Sequence, residues 1–167
     1  MSESILKIEH LYHRYSQQWA VKDINLEIGK RGVWGLLGSN GAGKSTTMNI
    51  ICGVLNQTEG EVFINGINLR ENPVEAKRYI GFLPQQPPLY TDLTVEEYLR
   101  NAAHLRLMEK SEVNKAVDVA LARCSISHFR NRLIKNLSGG YQQRVGIAQA
   151  IVHNPSFVVL DEPTSGL

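Results

Sequence analysis

The residues best suited to chemistry lie in the stretch GSNGAGKST, Gly38 to Thr46. It satisfies G-x-x-x-x-G-K-[ST], with Gly38 first, Gly43 and Lys44 as the pair and Ser45 last. That is the pattern of a phosphate-binding loop. A polyphosphate requires many N–H donors converging on one point, so the backbone must curl into a concave nest. Gly38, Gly41 and Gly43 are expected to supply the positive φ angles and close approach of such a nest. Ser39, Asn40 and Ala42 complete its run of amides, and Thr46 closes it. The apolar run Val33–Leu37 predicts a buried strand before the loop, and Thr47–Val54 predicts a helix after it. The loop would then open onto a helix N-terminus, where roughly half a positive charge and free N–H groups favour an anion. Lys44 is expected to reach the β- and γ-phosphates, and the Ser45 hydroxyl to hold Mg²⁺.

Two further constellations follow downstream. FVVLDE, Phe157 to Glu162, reads as an apolar strand ending in two acids. A buried strand that delivers a carboxylate to a sheet end is how Mg²⁺ is reached beside a phosphate loop. Asp161 would hold the ion, and Glu162 would polarise the attacking water as general base. Taken without the loop upstream, the pair is equally an exposed acidic strand end. LSGGYQQR, Leu137 to Arg144, precedes it. Ser138 can cap a helix there, and Gly139 and Gly140 leave its first amides uncovered, which makes a second anion site. One domain does not need two phosphate cradles, so this motif suggests a second copy that borrows it. An ordinary Ser-Gly-Gly helix start is the other reading, and physics alone prefers it.

The elements that must position these groups follow from periodicity. Ile5–Ile8 and Ile24–Ile28 alternate as strands, and Gly29 and Gly32 bracket a turn. Glu61–Ile64 predicts a strand closed by Asn65-Gly66, a strong hairpin signal. Pro73 suits the first position of a short helix. Ile80–Leu83 predicts a strand, followed by a loop with Pro84, Pro87 and Pro88. Thr94 and Glu97 form a capping box for a helix. Ser111 is expected to cap a second helix to about Arg123, and Ser138 a third that Asn154-Pro155 stops. The fold class is therefore α/β. A mainly helical block, about 86–153, is inserted between core segments of about 1–85 and 154–167 in one domain.

Composition sets limits. The chain has 167 residues, 18 basic and 16 acidic, for a net charge of +2. That balance gives no argument for nucleic acid. Cys52 and Cys124 are isolated, which fits a reducing compartment and excludes a C-x-x-C metal site. Cys52 reads as a small core residue. No segment approaches the roughly 18 apolar residues that span a bilayer. The N-terminus carries Glu3 and Glu9 and lacks the features of a signal peptide. A cytoplasmic location is expected, with any membrane role coming through a partner.

The phosphate loop, LSGGYQQR and FVVLDEPTSGL stand in the order and at the spacing of the ATP-binding-cassette (ABC) ATPases, which the whole chain resembles. The resemblance implies a P-loop NTPase of the ABC ATPase type, with a mixed core sheet, an N-terminal antiparallel β part and an inserted helical subdomain. It implies ATP and Mg²⁺ as ligands. It also implies a head-to-tail dimer in which Ser138 and Gly140 touch the γ-phosphate held by the other subunit. Gln85, in GFLPQQ, matches the glutamine that reaches Mg²⁺ and the attacking water, with Gln86 as the less fitting neighbour. Tyr15 matches the aromatic that stacks on adenine, with Tyr12 as its rival. The family continues with an aspartate, more sheet and a histidine, so a longer ATPase is expected beyond Leu167. The expected role is the ATP-hydrolysing subunit of a transporter, working with a transmembrane permease. The segment GFLPQQPPLYTDLTVEEYL resembles cassettes that serve exporters. A soluble ABC ATPase acting on ribosome or DNA is the alternative, and a nucleotide sensor without turnover is a third reading, which Glu162 opposes.

Overall fold

The computed structural model describes residues 4–29 and 31–164. Glu3 and the last three residues of FVVLDEPTSGL therefore lie outside the described residues. The chain divides between Ile80 and Gly81 into two compact units.

The first unit is built on an antiparallel sheet. β1 (Leu6–Tyr15) pairs with β2 (Gln18–Ile28) on one side and β3 (Glu59–Ile64) on the other, and β3 pairs with β4 (Ile67–Asn68). Leu6 and Ile8 are buried, and then Leu11 and His13. The alternation slips by one residue at His10, whose φ is 48° and where the β1–β2 register shifts. An extra residue in one strand moves every later side chain to the opposite face, and this bulge absorbs it. Asn65 and Gly66, with φ of 48° and 76°, make the expected two-residue turn between β3 and β4. α1 (Lys44–Ile51) buries Thr47, Ile50 and Ile51, and α2 (Pro73–Lys77) begins on Pro73 as its composition predicts.

Val33–Leu37 does not form the expected buried strand. The segment is irregular, and Val33 and Leu37 are 103% and 92% exposed. A strand exists only where a neighbour accepts its ladder, and no described strand pairs with this run.

The second unit holds the helices. β5 (Ile80–Leu83) and β6 (Phe157–Leu160) form a two-stranded sheet, both with the predicted bounds. In β6 only Val159 is buried, so the strand is not the fully buried one expected. α3 (Val95–Leu105) starts in a complete capping box, with Thr94 and Glu97 each accepting the other's backbone N–H. α4 (Lys110–Arg123) starts one residue before Ser111. Glu109 occupies its N-cap without a side-chain bond, so Ser111 is inside the helix and not its cap. α5 (Gly139–Ile151) is capped by Ser138 as expected, its side chain accepting from the Tyr141 amide. The three helices share a core of Val95, Leu99, Val113, Val117, Leu121, Ile134, Val145 and Ala148. Cys52 is buried in the first unit, as its apolar surroundings predict.

Candidate functional site

The phosphate loop belongs to the first unit. Gly41 and Gly43 have φ of 82° and 87°, the left-handed geometry that turns successive amides to one side. Gly38 does not share it, contrary to expectation. Its missing side chain is needed for packing instead, because a Cβ there would lie 3.2 Å from the Ala42 Cβ. Gly43 is constrained twice. It is the N-cap of α1, and a Cβ on it would collide with the Ala20 carbonyl oxygen of β2. The sheet thus backs the loop directly. Lys44 folds over the loop, donating to the Gly38 carbonyl and, at 3.3 Å, to that of Ser39. The Ala42 amide donates to the Ser39 carbonyl at 3.1 Å, which closes the turn around Asn40. Ser45 and Thr46 follow Lys44 in the first turn of α1.

Tyr15 ends β1 beside this helix. Its hydroxyl lies 3.2 Å from the Thr46 hydroxyl, its ring edge rests on His13 at 4.7 Å, and it remains 52% exposed. The rival Tyr12 is partly buried and packs edge-on against Trp19 at 5.8 Å. Of the two aromatics, only Tyr15 is tied to the loop helix and still open to a ligand.

The second unit carries the remaining groups. The Asp161 amide donates to the Leu83 carbonyl at 3.0 Å. That bond sets the acidic end of β6 against the end of β5, from which Gln85 follows. Gln85 Nε2 donates to Glu162 Oε2 at 3.1 Å. The two residues are 77 positions apart in sequence, and the sheet brings them into contact. Glu162 has a φ of 45°. Left-handed backbone at a non-glycine residue costs about 1 kcal/mol or more and persists where the surroundings hold it. Ser138, Gly139 and Gly140 stand at the start of α5, and Gln142 Nε2 braces that start by donating to the Ile134 and Leu137 carbonyls at 3.1 and 3.2 Å.

Oxygen donors suited to Mg²⁺ are present in each unit: the Ser45 hydroxyl in the first, and the Asp161 carboxylate and the Gln85 amide oxygen in the second. All are hard oxygen ligands, the kind this ion accepts beside phosphate and water. The Gln85 nitrogen is committed to Glu162, which leaves that oxygen as the only atom of its amide suited to a cation. No described group of three or more His, Cys, Asp or Glu residues could hold a metal without such partners. Cys124 is half-buried, and burial pushes its thiol up. It packs against the core of the second unit.

Sequence reasoning missed Gln143 and Gln149. Gln143 is buried, and its Nε2 donates to the Pro163 carbonyl at 2.8 Å. Gln149 donates to the Phe82 carbonyl at 2.8 Å. For Gln143 the signal was available. Gln143, Gly146 and Ala150 recur at helical spacing on the buried stripe of α5, and a polar residue on such a stripe needs a partner.

A family model described as ABC transporter matches residues 21–165. The chain is 37% identical to the lipopolysaccharide export system ATP-binding protein LptB of Haemophilus influenzae, over 98% of this chain and 69% of that protein. It is 34% identical to the bacitracin transport ATP-binding protein BcrA of Bacillus licheniformis, over 98% of this chain and 53% of that one. Among solved structures it is similar to cbiO1 of Clostridium perfringens, described as part of the ABC transporter complex cbiONQ. There the TM-score is 0.84 and the identity 33%, over 99% of this chain and 68% of that one. The chain thus spans between about half and two thirds of the length of these relatives.

Proposed function

The chain belongs to the ABC transporter family, and on that premise we propose that it is the ATP-binding, ATP-hydrolysing subunit that energises substrate movement through a separate membrane permease. The observation that carries the reading is the phosphate loop. Gly41 and Gly43 curl it, Lys44 lies across it, and Tyr15 stands beside its helix with its ring open. That arrangement suits a nucleoside triphosphate, with amides and Lys44 at the phosphates and an aromatic face for the base.

The family resemblance assigns Ser45, Asp161 and Gln85 to Mg²⁺, which would neutralise charge on the transferring phosphoryl group when bound. Glu162 accepts a proton from water as general base, and the Gln85 amide orients its carboxylate. Ser138, Gly139 and Gly140 present the capped start of α5 to the nucleotide of a second copy, in a head-to-tail dimer. The pairing of Gln85 with Glu162 favours turnover over simple sensing, because it holds a base in one orientation. The direction we propose is export. Its supports are the segment Gly81–Leu99 and the name of the relative LptB. No described helix is long and apolar enough to cross a membrane; by the family resemblance the protein would sit at the inner face of the cell membrane through its permease.

The test is Glu162→Gln in the full-length protein. The amide keeps the shape and cannot take the proton, so phosphate release should fall roughly hundredfold or more. MgATP should still bind, and the variant should accumulate as a dimer in size-exclusion chromatography with ATP. Hydrolysis at the wild-type rate would remove Glu162 from the role of base.

A further inference from the structure

Four contacts seat α5 on the strands that lead to Gln85 and Glu162. Gln143, only 6% exposed, donates to the Pro163 carbonyl, one residue past the left-handed Glu162. Gln149 donates to the Phe82 carbonyl in β5, three residues before Gln85. Between them the helix and strand meet without side chains to spare. A Cβ on Gly81 would collide with the Ala150 carbonyl. A Cβ on Gly146 would lie 2.8 Å from Leu83 Cδ1 and 3.2 Å from Pro87 Cγ. A close-packed contact of this kind transmits displacement and does not absorb it.

We propose that Gln143 and Gln149 are positioning residues that tie α5 to the backbone on either side of the Gln85–Glu162 pair, so that a shift at the Ser138 end of the helix is delivered to both reacting side chains. This rests on the reading of Glu162 as base and Gln85 as its orienting partner. The helix that presents Ser138, Gly139 and Gly140 at one end is then the clamp of its own subunit's hydrolytic residues along its length. Gln143 governs the carboxylate side and Gln149 the glutamine side.

Gln143→Met keeps the volume and removes the donor. In the full-length protein it should lower kcat for phosphate release about tenfold, with KM for MgATP within twofold of wild type. Placed in the Glu162→Gln background it should lower the residual rate no further, because the side chain it positions is already disabled. A variant that only loses folded molecules would lose the same fraction in both backgrounds. An equal proportional loss, or an unchanged kcat, overturns the proposal. Amide hydrogen exchange without nucleotide supplies a readout that needs no turnover. Exchange at Asp161, whose amide donates to the Leu83 carbonyl, should accelerate about tenfold in Gln143→Met, with α3 and α4 unchanged, and unchanged exchange at Asp161 overturns the clamp. A wild-type protein that bound no MgATP would refute the ATPase reading, and the exchange result would still decide for or against the clamp.

Discussion

At the scale of single residues, the loop shows why three glycines in one motif are not equivalent. Gly38 has no left-handed backbone, so a side chain there meets only side-chain atoms, the Ala42 methyl at 3.2 Å and the Lys44 chain at 3.6 Å. Gly43 is left-handed and lies against the Ala20 carbonyl. Gly43→Ala should therefore cost about 1–3 kcal/mol in stability and weaken MgATP binding, because the first turn of α1 must move. Thermal denaturation beside a binding titration checks this, and a Gly43→Ala protein with wild-type melting and affinity would contradict it. The motif residues themselves were legible from type and spacing. The pairing of Gln85 with Glu162 was not, because a contact across 77 positions depends on how β5 and β6 pair. Tyr15 was separated from Tyr12 only by geometry: one hydroxyl reaches Thr46, and the other ring turns to Trp19.

At the scale of elements, signals that act within a few residues were legible. The Thr94–Glu97 capping box, Pro73 at a helix start and the Asn65-Gly66 turn all close within four positions and form as their chemistry dictates. Val33–Leu37 fails because a strand is not a local object; its apolar run needs neighbours to pair with. Ser111 fails more simply, since Glu109 reaches the cap position first in an extended conformation. The core of the second unit makes its own prediction through Tyr98. Burial against that core, with the Tyr90 phenol nearby, pushes its pKa up to about 12. The folded state therefore keeps a proton that the unfolded chain gives up near pH 10. The stability this contributes is fully present below about pH 10 and is lost as pH rises towards 12. Melting temperature measured from pH 9 to 12 should fall more steeply for wild type than for Tyr98→Phe. Parallel curves would show that Tyr98 does not ionise out of this core.

At the scale of the molecule, the motifs divide between two units. The first holds the phosphate loop and Tyr15. The second holds Gln85, the α5 start and the acids. The order of these motifs was legible as a family resemblance, and the family match over residues 21–165 agrees with it. The substrate moved was not legible, since in this account the permease partner selects it. One interaction comes before the others, the capture of a triphosphate by the loop and its lysine. Loop amides alone cannot offset that charge, so Lys44 must supply the rest. Isothermal titration of MgATP into wild type and Lys44→Ala measures it directly. Saturable binding by wild type and its loss in a variant that melts like wild type is the predicted result; an affinity unchanged by the substitution would contradict the account.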